Sequence, residues 1–119
     1  MVKFKTLEQN YMNSDIIEIK AELKLYSTDN GGRKTGIKTN YRPNHVFEYK
    51  ENSSDFVTTY IGQIKFEKEW ILPNETENVK VHFLKHQNIM ELIKVGRIWW
   101  IHERARKIGE AKVLEIIAE

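Results

Sequence analysis

The chain has 119 residues, of which 40% are hydrophobic, and this length and composition suit one domain with a real core. Its formal net charge of +2 at pH 7 excludes a polybasic protein, so any nucleic-acid binding must depend on local clusters of cations. The absence of cysteine excludes disulfides, thiolate metal sites and cysteine nucleophiles.

The first 14 residues are mixed and polar, with Phe4, Leu7 and Tyr11 as scattered apolar positions. Their spacing allows a short helix, but we expect a weakly ordered lead-in at residues 1–14 and a single domain at residues 15–119. The N-terminus lacks the apolar core of a signal peptide, and no apolar run is long enough for a transmembrane helix. We therefore expect a soluble cytoplasmic protein with no membrane partner.

Residues 16–26 alternate between apolar and charged side chains. A strict period of two with charges on the second face predicts a half-buried β-strand. The predicted core face consists of Ile17, Ile19, Ala21, Leu23 and Leu25.

A loop with two glycines and four cations follows this strand. Gly31 and Gly32 allow backbone angles with positive φ. Pro43 fixes its own φ and favours an extended Arg42 before it. The sequence therefore predicts a shaped basic loop between two strands, with the cations Arg33, Lys34, Lys38 and Arg42.

Three further segments have β character. They cover residues 45–50, residues 56–66 and the alternation of Val79, Val81 and Phe83. Polar turn signals separate them. Gly62, inside the second segment, predicts a bulge or a tight bend.

The C-terminal third allows two interpretations. Ile101, Ala105 and Ile108 lie near helical spacing, and the composition of residues 102–118 favours an amphipathic helix. Gly109 and the β-favouring residues before Ile101 favour a β-hairpin. The residues alone leave both interpretations open.

A series of motifs decides between them. Residues 21–47 read AEL-x-LYS-x-D-x-GGR-x-T…YRP-x-x-x-F; ILP at 71–73, NVKV at 78–81 and IHERARKIG at 101–109 follow in order. This series resembles the C-terminal β-barrel domain of translation elongation factor Tu, over roughly residues 16–117. The resemblance implies an all-β fold, a six-stranded antiparallel closed barrel, whose last hairpin turns at residues 104–106.

The resemblance also implies a function. In that family the barrel contacts the T-stem backbone of aminoacyl-tRNA, the GTP domain and the nucleotide-exchange factor. The positions that match its RNA-facing loops are Arg33, Lys34, Asn44, Glu103 and Arg104. Asn44 stands where the family usually has glutamine, and Arg104-Ala105 replaces a pair of glycines.

Two clusters of cations support binding of an anion. The loop cations, including Arg42, form the first, and Arg97, Arg104, Arg106 and Lys107 are expected at the last hairpin. Their ammonium and guanidinium groups would contact phosphates and position a nucleic acid without reading its sequence. Ordinary solvated surface charge is the alternative interpretation. The candidate RNA- or partner-binding residues are Arg33, Lys34, Arg42, Asn44, Glu103, Arg104 and Arg106, with Gly31, Gly32 and Pro43 shaping the loop.

Motifs for catalysis and cofactors do not occur. The G-x-x-x-x-G-K-[ST] loop is missing, so we expect no GTP binding by this chain. His82 and His86 are four residues apart, but zinc requires further ligands, so they and the remaining histidines, His45 and His102, are expected at the surface or at strand edges. Without a nucleophile elbow or a carboxylate pair in apolar surroundings, we expect no catalytic residue, metal or cofactor, and no enzyme.

The adjacent tryptophans Trp99 and Trp100 must point to opposite faces of a strand, so one is expected in the core and the other outside. An outward tryptophan suits a protein partner or the cap of a barrel end. The sequence therefore predicts a binding module for translation components, either tRNA backbone or an associated protein. A protein-interaction module of the decoy or immunity type, without RNA binding, is the alternative.

Overall fold

The architecture is a closed six-stranded antiparallel β-barrel, seen in a computed structural model that describes residues 15–118. Around the barrel the strand order is β1-β4-β3-β2-β5-β6, and β6 pairs with β1 to close it. The predicted fold class is therefore confirmed. The predicted lead-in at residues 1–14 lies outside the described residues. The strands are β1 (Ile16–Leu25), β2 (Asn44–Val46), β3 (Tyr60–Lys65), β4 (Thr76–Leu84), β5 (Ile98–Glu103) and β6 (Arg106–Ala118).

Strand β1 contributes ten residues to the barrel wall. It pairs with β4 along Ile16 to Lys24, and its other edge pairs with β6. The five apolar residues of its predicted core face are each no more than 1% exposed, which confirms the alternation. Burial of a side chain the size of leucine or isoleucine stabilises the fold by about 1.5–3 kcal/mol, so this face is a large part of the core.

An aromatic cluster fills the barrel interior between β2, β4 and β5. Trp99 stacks on Phe47 with ring centroids 5.3 Å apart, and the edge of Phe83 meets Trp99 at 5.7 Å. Trp99 is fully buried, whereas Trp100 is half-buried on the outer surface. The predicted division between the two tryptophans is confirmed.

His45 ties three strands together inside this cluster. The indole N–H of Trp99 donates to Nδ1 of His45 at 2.9 Å, and Nε2 of His45 lies 3.0 Å from the carbonyl oxygen of Gly62. Because an indole only donates and a carbonyl only accepts, the neutral tautomer with its proton on Nε2 satisfies both partners. Complete burial lowers the pKa of His45 to about 4.

Gly62 makes space for this histidine. The predicted bulge at Gly62 is wrong, because β3 and β4 keep a regular register from Gly62 opposite Phe83 to Lys65 opposite Lys80. A Cβ atom at Gly62 would lie 2.8 Å from Cδ1 of Phe83 and 2.9 Å from Nε2 of His45. The glycine is therefore needed for the close contact between β3 and the core.

Strands β2 and β3 are shorter than predicted, because the chain between them packs on the outside of the barrel. Tyr49 lies 5.2 Å from Trp100 between ring centroids, and Phe56 lies 4.9 Å from His102. The Tyr49 hydroxyl is hydrogen-bonded to Nε2 of His102 at 2.5 Å. Residues 47–59 thus cover the outer face of β5 instead of extending the two strands.

The C-terminal third forms a hairpin, so the helical interpretation is wrong. β5 and β6 pair from Ile98 opposite Lys112 to Glu103 opposite Arg106, with a two-residue turn between them. The alternation buries Ile101 and Ile108 in the core, and β6 must pair with both β5 and β1 to close the barrel. Closure of the sheet therefore outweighs the helix propensity of the local sequence.

The histidine prediction also requires correction. His45, His82 and His102 are buried, at 0%, 9% and 1% exposure, instead of lying in solvent. Burial lowers the pKa of all three. The side chain of His86 lies outside the described part of the structure.

Two searches of the described residues concern metals and membranes. Among residues 15–118, no group of three or more histidine, aspartate or glutamate side chains is arranged to hold a metal ion. In the same range, no helix has both the length and the apolar character needed to cross a membrane.

Acid should weaken the fold through His45. Its pKa falls from the ordinary 6.5 to about 4 on folding, so its contribution is complete above pH 6.5 and is lost as the pH falls toward 4. The linked loss is about 3 kcal/mol. We expect His45→Gln to be less stable than the wild type near neutral pH but to lose less stability on acidification. Urea unfolding at several pH values measures this, and parallel pH profiles for the two proteins would contradict it.

Candidate functional site at one end of the barrel

The candidate residues gather at one end of the barrel. Because all neighbouring strands are antiparallel, the end of β1 lies beside the starts of β2, β4 and β6 and the ends of β3 and β5. Three connections meet there: residues 26–43, residues 66–75 and the hairpin turn at 104–105. All seven predicted binding residues lie in these connections or at the strand ends beside them: Arg33, Lys34, Arg42, Asn44, Glu103, Arg104 and Arg106.

The connection of residues 26–43 crosses this end, because β1 and β2 are not neighbours in the barrel. Backbone hydrogen bonds of 2.8 and 3.0 Å join Ile37 and Ile71 in both directions, and the Ile64 N–H donates to the Tyr41 carbonyl at 2.9 Å. Ile37 and Ile71 are 2% and 0% exposed, so the crossing segment closes the core as well as connecting the strands.

Two glycines give the start of the crossing segment its shape. Gly31 has φ of 89°, a region that favours glycine. A Cβ atom at Gly32 would lie 2.1 Å from the carbonyl oxygen of Tyr26, so a side chain cannot be accommodated there. Pro43 is buried at the other end of the segment and leads directly into β2.

Arg106 holds this glycine turn against the last hairpin. Its Nε atom donates to the carbonyl oxygen of Gly31 at 3.0 Å, and its Nη2 atom donates to the carbonyl oxygen of Gly32. A planar guanidinium group presents several donors in a fixed fork, which suits adjacent carbonyl groups. Arg106 therefore links β6 to a segment some 75 residues earlier in the chain.

Arg33 and Glu103 form the second link between the loop and the hairpin. Nη1 of Arg33 and the hydroxyl of Tyr41 both donate to Oε2 of Glu103. Nε and Nη2 of Arg33 also donate to the carbonyl and hydroxyl oxygens of Thr35, each at 3.2 Å. Burial, and next the hydrogen bond to Glu103, raise the pKa of Tyr41 well above its ordinary value, so its hydroxyl stays neutral at physiological pH.

The remaining cations of the site extend into solvent. Lys34, Arg42 and Arg104 are exposed, and among the described residues none of the three takes part in a salt bridge. Lys38 is placed over the ring of Trp70, with its Nζ 4.9 Å from the ring centroid. The site therefore combines cations that organise the loop with cations that are free to meet an anion.

Asn44 is placed differently from the charged candidates. It is half-buried in β2, where it pairs with Ile61 of β3 and with His102 of β5.

One predicted cluster of cations is divided by the structure. Arg104, Arg106 and Lys107 lie at the hairpin, but Arg97 precedes β5 and so lies at the opposite end of the barrel. There Nη2 of Arg97 donates to the carbonyl oxygen of Phe47 at 2.8 Å. Arg97 and the hairpin cations lie at opposite ends of β5, as the hairpin interpretation already required. Arg97 therefore does not join the cluster.

Tyr41 belongs to the site, although the sequence analysis identified it only as part of the YRP motif and not as a candidate binding residue. Its hydroxyl completes the contact to Glu103, and its ring lies 5.6 Å from the guanidinium carbon of Arg33. A tyrosine beside a loop arginine carries no specific signal in the sequence. The contact depends on the crossing of the loop over the hairpin.

The chemistry available at this end is that of binding. It offers positive charge and hydrogen-bond donors on a segment that is fixed at both of its sides, an arrangement that suits phosphate oxygens. No model of a known protein family matches the chain.

Arg104→Gly should stabilise the fold. Arg104 is the first residue of the hairpin turn and has φ of 59°, a conformation that costs a residue with a side chain about 1–2 kcal/mol. Glycine relieves this strain but loses more entropy on folding, so we expect a net gain of about 0.5–1 kcal/mol. Chemical denaturation measures it. Arg104→Ala, which removes the charge and keeps the Cβ atom, is the control, and equal stability of the two variants would contradict the prediction.

Arg33 and Glu103 should be energetically coupled. In a double-mutant cycle with Arg33→Gln and Glu103→Gln, we expect a coupling of about 1 kcal/mol, because both side chains are partly screened by solvent. Urea unfolding of the four proteins gives this energy. Strictly additive losses would show that the contact does not hold the loop.

Proposed function

We propose that this chain is a non-enzymatic RNA-binding module whose basic barrel end contacts the phosphate backbone of a structured RNA. The resemblance of its motifs to the C-terminal barrel of elongation factor Tu supports tRNA as the RNA and the translation machinery as the setting. The proposal concerns binding alone, because the site consists of cations, donors and backbone groups.

The observation that carries the proposal is the distribution of charge. Residues 26–43 and 103–106 contain six cations and two acids, a net charge of +4, whereas the whole chain has a net charge of +2. The rest of the chain is therefore at −2. Folding places these two basic segments, far apart in sequence, side by side at one end.

The same end is polarised. Its third connection, residues 66–75, contains three glutamates and one lysine, a net charge of −2. The side formed by the glycine turn and the hairpin therefore favours a polyanion more than the side of the β3–β4 connection does. This uneven distribution of charge indicates which side of the barrel end contacts the RNA.

The two internal links prepare the site for binding. Arg106 and the Arg33–Glu103 pair hold the loop against the hairpin before any ligand arrives. Less conformational entropy is then lost when a ligand binds. The exposed Lys34, Arg42 and Arg104 supply the charge that meets phosphates, so the side chains that fix the loop differ from those that contact the ligand most freely.

The structure offers less support for the alternative of a protein-interaction module built on an outward tryptophan. Trp100 is half-buried and packs against Tyr49, and Lys107 lies over its ring at 5.5 Å. Trp70 is 40% exposed, but Lys38 already lies over its ring. Neither ring is presented as a bare aromatic anchor, so RNA is the preferred partner.

Binding should depend on salt and on the three exposed cations. We expect tRNA affinity to fall steeply as salt rises, because each phosphate contact releases a counterion. The triple variant Lys34→Ala/Arg42→Ala/Arg104→Ala should bind about tenfold more weakly, and its slope of log affinity against log salt should be shallower by about 2–3. Fluorescence anisotropy with labelled tRNA measures both quantities.

A matched control distinguishes the effect of the three site cations from the effect of the protein's net charge. Lys85→Ala/Lys94→Ala/Lys112→Ala removes three lysines away from this end and changes the net charge equally. We expect this control to keep the wild-type slope. Equal losses in the two triple variants, or salt-resistant binding of a protein partner without RNA binding, would overturn the proposal.

A further inference from the structure

Three lysines face one another across neighbouring strands on the outer wall of the barrel. Lys20 of β1 is opposite Lys80 of β4, and Lys80 is in turn opposite Lys65 of β3. Because neighbouring strands are about 4.8 Å apart, the three backbone positions span about 10 Å. We call this set the lysine row. It is centred on β4, on the side of the barrel away from β5.

The lysine row borders a groove with a volume of about 430 Å³. Phe66 and Val79 give the groove an apolar part, along which the aliphatic stems of lysines can pack. Lys68, Glu67 and Glu77 also line it, so four lysines and two glutamates leave the lining at +2.

The arrangement is unfavourable for the isolated protein. Like charges directly opposite each other on neighbouring strands destabilise a sheet. Lys80 lies 3.8 Å from Glu18, and Lys20 lies 3.9 Å from Glu115, but both lysines are more than half exposed, so these pairs compensate weakly. Among the described residues, Lys65 takes part in no salt bridge.

Two lysines of the row also act on the neighbouring buried histidine, His82. Burial lowers the pKa of His82, Glu18 raises it, and both Lys65 and Lys80 lower it. Lysines from two strands thus act on one buried group. Lys68, by contrast, is held by Glu75 at 3.3 Å and Glu77 at 3.2 Å, so its charge is better neutralised than that of the row.

We propose that the lysine row and its groove bind an oligophosphate, a ligand with two or three consecutive phosphate groups. Such a ligand places negative charges along the row and removes the repulsion between its members. The ammonium groups act as point charges on flexible stems, so they accept phosphates without reading a sequence. Both a nucleic-acid backbone and a free polyphosphate chain carry this chemistry. The groove shares residues 66–68 with the β3–β4 connection, but it includes none of the cations of the glycine turn or the hairpin, and it does not depend on the function proposed for them.

Inorganic tripolyphosphate is a direct probe of the row. A ligand that binds only the folded state raises the melting temperature. We therefore expect tripolyphosphate to stabilise the wild type more than sodium chloride at equal ionic strength. Lys80→Gln should lose this specific stabilisation, with affinity at least about tenfold lower, because it removes the central charge of the row. Thermal unfolding and calorimetric titration measure the two effects.

Three variants serve as controls. Lys80→Arg keeps the charge and should retain binding, and Lys94→Gln, which removes an exposed lysine elsewhere, should also retain it. The variant Lys34→Ala/Arg42→Ala/Arg104→Ala should keep tripolyphosphate binding even where it loses tRNA. Failure of the barrel-end proposal is thereby distinguished from failure of this one.

A single-stranded oligonucleotide identifies the source of the phosphates. If it binds and Lys80→Gln weakens it together with tripolyphosphate, the ligand is a nucleic-acid backbone. If tripolyphosphate alone depends on Lys80, the ligand is a free polyphosphate chain. Stabilisation that sodium chloride reproduces, or that persists unchanged in Lys80→Gln, would overturn the proposal.

Discussion

The connection between β1 and β2 must cross the end of the barrel, because these strands do not neighbour each other in the closed sheet. This constraint determines which contacts hold the loop of the candidate site in place. A crossing segment covers the core, so Ile37 is buried against Ile71. It also passes the last hairpin, where Arg106 donates hydrogen bonds to its backbone carbonyl oxygens. A loop that only joined adjacent strands would need neither contact, and its cations would not be fixed relative to those of the hairpin.

Chemically similar cations of the candidate site have different roles. Arg33 and Arg106 use their guanidinium donors within the chain, whereas Lys34, Arg42 and Arg104 face solvent. The acidic β3–β4 connection restricts the positive potential to one side of the end. The lysine row has a different origin. The register between three strands, and not a loop, places its charges together. Both arrangements concentrate cations in a protein whose overall charge is close to zero.

The sequence predicts the parts of this fold that depend on local pattern. Alternation identified the core face of β1, and the motif resemblance favoured the hairpin over a helix. The sequence also indicated which cations belong to the candidate site, but not their contacts, because the Arg33–Glu103 pair requires the loop to cross the hairpin. Tertiary packing explains the misses. β2 ends at Val46 because Tyr49 packs on Trp100, and His45 is buried because Trp99 and Gly62 satisfy both of its nitrogens. The lysine row needs the register of three strands, which no local pattern contains.

The most direct test of the account is an amide chemical-shift titration of the isotopically labelled protein with tRNA. A basic barrel end that contacts the phosphate backbone predicts perturbations concentrated in residues 31–44 and 103–106, which diminish as salt is added. Perturbations centred on residues 85–97, at the opposite end of the barrel, would contradict the account, as would the absence of any perturbation at low salt.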